Sequence, residues 1–261
     1  MLRTKSQILN VSSVSSVNGD FKSQVNIQLP DQNFSDPNIK AVYISVQHCE
    51  IPNSFYVVNY TNNQLVVNGI TYTLQRGNYS ANSFATYLLT ILPAGFGITY
   101  STTTNKYTIT YTTNFTINAN SSASTINSVM GLGSSSLTSV ANTLTLPNCV
   151  NFLPLPRLNF RAPLKLKNYN QTDNSGDVIL SLQNNAAQQG MITFSNNSRL
   201  RFLIQDKSIT SFLLSVTDDR NNLVNFNGVD WYLTFQIDID FWDNLSDTSF
   251  RGIVQQYSST F

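Results

Sequence analysis

Charge is what this chain has least of. Asp, Glu, Lys and Arg make up 11% of its 261 residues, against roughly 25% in an average soluble domain. The 15 basic and 14 acidic groups nearly cancel, so no field of one sign draws in nucleic acid or an anionic membrane. There is one histidine and there are two cysteines. A zinc site built from these would need carboxylates to complete it, and no ligand spacing supplies them. The start, M-L-R-T-K-S-Q-I-L-N-V-S-S-V-S-S-V, lacks the continuous apolar run of a signal peptide. Without a secretory route, Cys49 and Cys149 are expected to be reduced thiols, not a bridge. No window approaches the run of about 18 apolar residues that a membrane span needs.

Polarity comes instead from Asn, Ser and Thr, together about a third of the chain. An AT-rich genome enriches Asn, but it should enrich Lys equally, and Lys is scarce. The other source is a surface covered by neighbouring subunits, where neutral hydrogen-bonding groups are less costly to desolvate than charges. A chain of this size buries about 73% of its unfolded surface, so its core needs neither disulfide nor metal.

What is present is β pattern. In W-Y-L-T-F-Q-I-D-I-D-F, Trp231, Leu233, Phe235, Ile237, Ile239 and Phe241 share one face. Tyr232, Thr234, Gln236, Asp238 and Asp240 share the other, which marks a long strand with one buried and one wet side. Further strands are expected from Phe21 to Leu29, with Pro30 as the stop, and from Ile39 to Glu50. Later ones fall near Leu158–Lys167, Asp177–Gln183, Met191–Ser195, Leu200–Gln205 and Ile209–Thr217. With the one ending at Phe241 these are eight.

Between them the texture changes. Leu65–Val67 and Ile70–Leu74 flank Asn68-Gly69, the pair that a type I′ hairpin turn prefers. Ser80 stands as the N-cap of a short helix carrying Phe84, Tyr87, Leu88 and Ile91 at helical spacing, with Pro93 beyond it. A second hairpin, Ile98–Ser101 against Lys106–Thr112, precedes a helical turn that Ser124 begins and Gly131 closes.

The expected fold is therefore mainly β: a single jelly-roll sandwich of eight antiparallel strands in two sheets, with an inserted small α+β module. Residues 1–19 read as a flexible arm and 134–142 as a linker. Residues 20–55 and 143–244 form the discontinuous jelly roll, 56–142 the insert and 245–261 a tail.

Catalytic chemistry is hard to find. His48 continues the face of Val42, Ile44 and Val46, while adjacent Cys49 points the opposite way, so the two cannot form a nucleophile–base dyad. Asp218, Asp219, Asp238, Asp240 and Asp243 could in principle gather around Ca²⁺, but Asp238 and Asp240 are simply the wet positions of an alternating strand. Gly131-Leu132-Gly133 follows a helix instead of opening one, the wrong order for a dinucleotide loop. No catalytic residue, no metal ligand and no cofactor is expected from these residues.

Four stretches then carry a resemblance: I-P-N-S-F-Y-V-V-N (Ile51–Asn59), R-G-N-Y-S-A-N-S-F-A-T-Y-L (Arg76–Leu88), I-N-S-V-M-G-L-G (Ile126–Gly133), and Asp218–Ile237. In that order they resemble the penton (minor capsid) proteins of virophages and Polinton-like viruses, members of the double-jelly-roll DNA virus lineage. The resemblance implies a structural protein of the virion, made in the host cytoplasm and not an enzyme. It implies homopentamers at icosahedral vertices, touching the major capsid protein and binding no specific nucleic acid. A different class also fits a jelly roll: a carbohydrate-binding or virion-spike domain, in which exposed Trp242 beside an open sheet face would matter.

Overall fold

The computed structural model describes residues 3–33, 36–153, 155–166, 177–205 and 208–242. The chain divides into two compact units: residues up to Ser54 with those from Arg157 on, and Phe55–Pro156. The first unit opens with β1 (Arg3–Ser12), β2 (Gln24–Asn33) and β3 (Ile39–Pro52). The second holds β4 (Gln64–Val67), β5 (Ile70–Thr73), α1 (Ala81–Ile91), β6 (Gly97–Ser101), β7 (Lys106–Thr110), β8 (Thr116–Ile117), α2 (Asn127–Met130), β9 (Leu137–Thr138) and β10 (Thr143–Thr145). The first unit then resumes with β11 (Arg157–Arg161), β12 (Val178–Gln183), β13 (Met191–Ser195), β14 (Phe202–Leu203), β15 (Ser208–Thr217) and β16 (Tyr232–Phe241).

In the first unit one sheet runs β1-β16-β3-β13 and the other β12-β11-β15-β2. Every pairing is antiparallel. Wound in that sequence, the eight strands make a jelly roll. Alternation sends Leu233, Phe235, Ile237 and Ile239 of β16 inward beside Val42, Ile44 and Val46 of β3. Val25 and Ile27 of β2, with Leu214 and Val216 of β15, line the facing layer. Phe212 meets Phe235 edge-on at 6.0 Å, and Phe160 meets Trp231 at 5.6 Å, so aromatic pairs bind the two sheets together.

The count of eight is right, but its membership differs from the sequence reading. Residues 3–12 are an edge strand and not part of an arm: β1 pairs with β16 along its length. Only Leu9 and Val11 give it an apolar side, which is too little for its alternation to be read. The stretch Leu200–Gln205 shrinks to β14, a two-residue addition to β3. Pro30 does not stop β2. It falls within a register shift on an edge strand, where a missing N–H is tolerated. Expected tail residues 245–261 lie outside the described residues.

The insert is built on two small sheets, β5-β4-β8-β9 and β10-β7-β6. Asn68 and Gly69 have φ of 51° and 79°, as a type I′ turn demands. Ser80 accepts from Ser83 N–H while the Ser83 hydroxyl accepts from Ser80 N–H, a reciprocal cap on α1. Phe84 and Leu88 sit fully buried in one cluster with Leu65, Val67, Tyr107, Phe115 and Leu146. That cluster explains why the insert runs on past 142: β10 pairs with β7, and Leu146 fills its core. The expected linker 134–142 contains β9, and Ser139 is buried with its Oγ accepting from Phe115 N–H at 2.8 Å. Ser124 does not cap α2 either; its hydroxyl donates to Asn127 Oδ1, and Ile126 holds the cap position.

Candidate interaction surface

The residues singled out for chemistry are scattered by the fold. Register on β3 shifts at Gln47: Thr234 pairs with His48, but Phe235 pairs with Val46. This bulge reverses the alternation, so His48 leaves the inner face on which it was expected and becomes exposed, while Cys49 turns inward and is fully buried. Burial pushes the Cys49 thiol up to about 12, against a lowering hydrogen bond from the Phe194 backbone and a small raising effect of Glu50. At neutral pH it is an inert thiol. Cys149, in the insert, is exposed.

The bulge also creates a grouping that the sequence did not reveal. His48 Nδ1 lies 3.4 Å from Ser195 Oγ, and Nε2 lies 3.3 Å from Glu50 Oε1. Ser, His and a carboxylate in line invite comparison with a nucleophile, base and orienting acid. The setting does not support catalysis. The His48 and Glu50 side chains are about half exposed on an open sheet face, so water is not excluded. The neighbouring N–H groups of Asn196 and Asn197 are spent on Gln47 O and Ser195 O, leaving neither for an oxyanion.

The aspartates separate. Asp218 closes a turn, accepting from the N–H groups of Arg220 and Asn222, and Asp219 accepts from Asn159. Asp238 and Asp240 are not wet, as alternation alone suggested, but buried. Ser6 donates to Asp238 at 2.6 Å, Thr4 to Asp240 at 2.7 Å, and Arg201 approaches Asp240 at 3.9 Å while lying over the Tyr43 ring. Asp243 is outside the described residues. Among the described residues no three His, Cys, Asp or Glu side chains form a metal-sized group.

Trp231 is fully buried, its Nε1 donating to Lys22 O at 2.6 Å. Trp242 is exposed, with Lys40 Nζ 5.1 Å from its ring centroid. No described helix is long and apolar enough to cross a membrane.

What the first unit does present is edges. β1 and β2 end the two sheets on one flank, joined by a bridge between Ser16 and Val25. β12 ends one sheet on the other flank, and β13 with the two-residue β14 ends the second sheet there, along the outer edge of β3. No residue from Ser6 to Gly19, from Ser23 to Leu29, or from Val178 to Ser198 is charged. The insert is barer still: Arg76 and Lys106 are its only charged residues, and it has no acidic one. Ile8, Val14 and Val17 on the first flank, and Met191 on the second, are exposed apolar side chains.

No family model and no curated protein matches this chain. Among solved structures it is similar to the crystal structure of selenomethionine-labelled mavirus penton protein, with 13% identity and a TM-score of 0.44, covering 90% of this chain and 99% of that one. The jelly-roll architecture stands on this chain's own strand order.

Proposed function

We propose that this protein is a structural capsid subunit, a penton that forms homopentamers at the vertices of an icosahedral virion. The observation that carries the reading is the number of jelly rolls: among the described residues, β1-β16-β3-β13 and β12-β11-β15-β2, with β14 added to β3, take up the strands of the first unit and make one sandwich, not two. A trimeric pseudo-hexagonal capsomer needs two jelly rolls per chain, whereas a single one supplies a wedge that closes a ring through heterologous contacts. The charge-poor surface supports close approach of identical subunits. The segments that resemble virophage and Polinton-like pentons name the class, and the major capsid protein is the second partner that the class requires. Fold alone does not make function; here it is joined by edges and surfaces suited to association and by the lack of a catalytic setting around His48.

Native mass spectrometry of the purified chain, with electron micrographs of the same sample, tests the reading. The expected species is a pentamer with a fivefold outline. A stable trimer overturns the vertex assignment.

A further inference from the structure

We propose that the two flanks of the jelly-roll unit are the two halves of one contact, the β1–β2 flank of one copy seating against the β12–β13 flank of the next. The inference rests on the capsid-subunit reading and supplies the surfaces which that reading needs.

An edge strand offers a row of unpaired N–H and C=O groups, and chains that remain alone guard it with Lys, Pro, a bulge or an inward charge. Here such guards reach only the ends. Lys5 sits near the start of β1, and Pro30 and its register shift lie in the far half of β2. From Ser6 to Gly19 and from Ser23 to Leu29 no charge, proline or bulge guards the first flank, and only the start of β2 is covered, by Ser16 and Val17. From Val178 to Ser198 nothing charged protects the second. The unguarded stretch of the first flank also carries apolar side chains in water: Ile8 is 59% exposed, Val14 63% and Val17 60%. Across the unit, Met191 does the same at the start of β13.

The match in charge selects the occupant. A partner with a charged face would lose hydration on docking and find no counter-charge along Ser6–Gly19, Ser23–Leu29 or Val178–Ser198. A surface in hand that is free of charge and open along a strand edge of matching kind is the other flank of this same jelly-roll unit. Pairing β1 with β1 across a twofold axis would leave the β12–β13 flank facing water. Pairing unlike flanks covers both and repeats by rotation until the ring closes.

Val14→Glu disables the first flank and Met191→Glu the second, and both positions are exposed, so circular dichroism and the unfolding midpoint of each variant are expected to match the parent. Native mass spectrometry after brief cross-linking then reads assembly. The parent gives rings, and each variant alone gives monomers. An equimolar mixture gives heterodimers and nothing larger, because it holds one sound flank of each kind. Val14→Thr and Met191→Gln keep the rings. Rings that survive Met191→Glu, a mixture that stays monomeric, or a parent that never associates overturns the flank contact. A pentamer that survives both Glu variants removes this contact and leaves the vertex reading standing. Rings of another size, lost in both variants, remove the vertex reading and leave the contact.

Discussion

The Thr4 hydroxyl donates to the Asp240 carboxylate at 2.7 Å across 236 residues of sequence. The bond marks where the first described strand of the chain lies against the last, with Ser6 and Asp238 repeating the pattern one step along. Because both carboxylates are buried, the hydroxyls replace water that the strand pairing has displaced.

Removing residues 1–12 is therefore expected to damage the fold, which loss of an arm would not do. It strips Leu9 and Val11 from the sheet and takes the hydroxyl donors from two buried carboxylates, leaving Asp238 with Gln236 Nε2 and Asp240 with Arg201. Urea denaturation should show a loss of at least about 3 kcal/mol, and Thr4→Val alone about 1–3 kcal/mol. An unchanged midpoint for the truncated chain would refute the role of β1.

Phe235 is fully buried, and Thr234, beside it, points to the outer face and donates to Asn10. Phe235→Ala is expected to cost about 3–5 kcal/mol and Thr234→Ala under about 1. Equal effects at the two sites in chemical denaturation would contradict the inward and outward assignment.

The two thiols differ in reach. A disulfide reagent at neutral pH is expected to modify Cys149 in the folded chain, and Cys49 only after denaturation. The same burial sets an alkaline limit. The unfolded chain releases the Cys49 proton near the ordinary 9.0, the folded chain only near 12. Stability from this group is complete below pH 9 and is lost as pH rises from there towards 12. Unfolding midpoints measured across that range should fall, and should fall less steeply in Cys49→Ala.

Gly131 and Gly69 both have positive φ, but their surroundings differ. A Cβ at Gly69 meets nothing within 4 Å, whereas one at Gly131 runs into the backbone carbonyl of Asn148 and comes within 2.8 Å of that of Cys149. Gly69→Ala is expected to cost about 1–2 kcal/mol from backbone strain alone. Gly131→Ala should cost clearly more in thermal melts, because the neighbour in its way is main chain.

The insert's buried cluster, from Val57 to Leu146, draws on its own residues. Replacing Phe55–Pro156 by a short linker is expected to leave a chain with a β circular dichroism spectrum and one cooperative melt. A product that cannot fold would show that the jelly roll depends on the insert.

Legibility followed the strength of local signals. Trp231–Phe241 announced itself because its apolar face is unbroken, and α1 because Ser80, Phe84, Leu88 and Pro93 agree. β1 stayed hidden because its pairing is supported by Ser6 and Thr4 hydroxyls, not by apolar alternation. The Gln47 bulge is a property of the partner strand's register, which no window on β3 alone contains. For the same reason His48 was placed on the wrong face, and its approach to Ser195 and Glu50 went unseen. The run past residue 142 read as jelly roll because β10 is too short to declare its partner.

β16 lies between β1 and β3 within its sheet, so the first described strand to leave the ribosome waits for the last described one. A ribosome must release residue 241 before that sheet can form, while the pairings of β4 to β10 close within Gln64–Thr145. The insert can thus fold co-translationally as the chain grows, and the jelly roll closes last. Its unpaired β1–β3 segment depends until then on slow, long-range closure. The flank contact proposed above would therefore be available only after the jelly roll has closed.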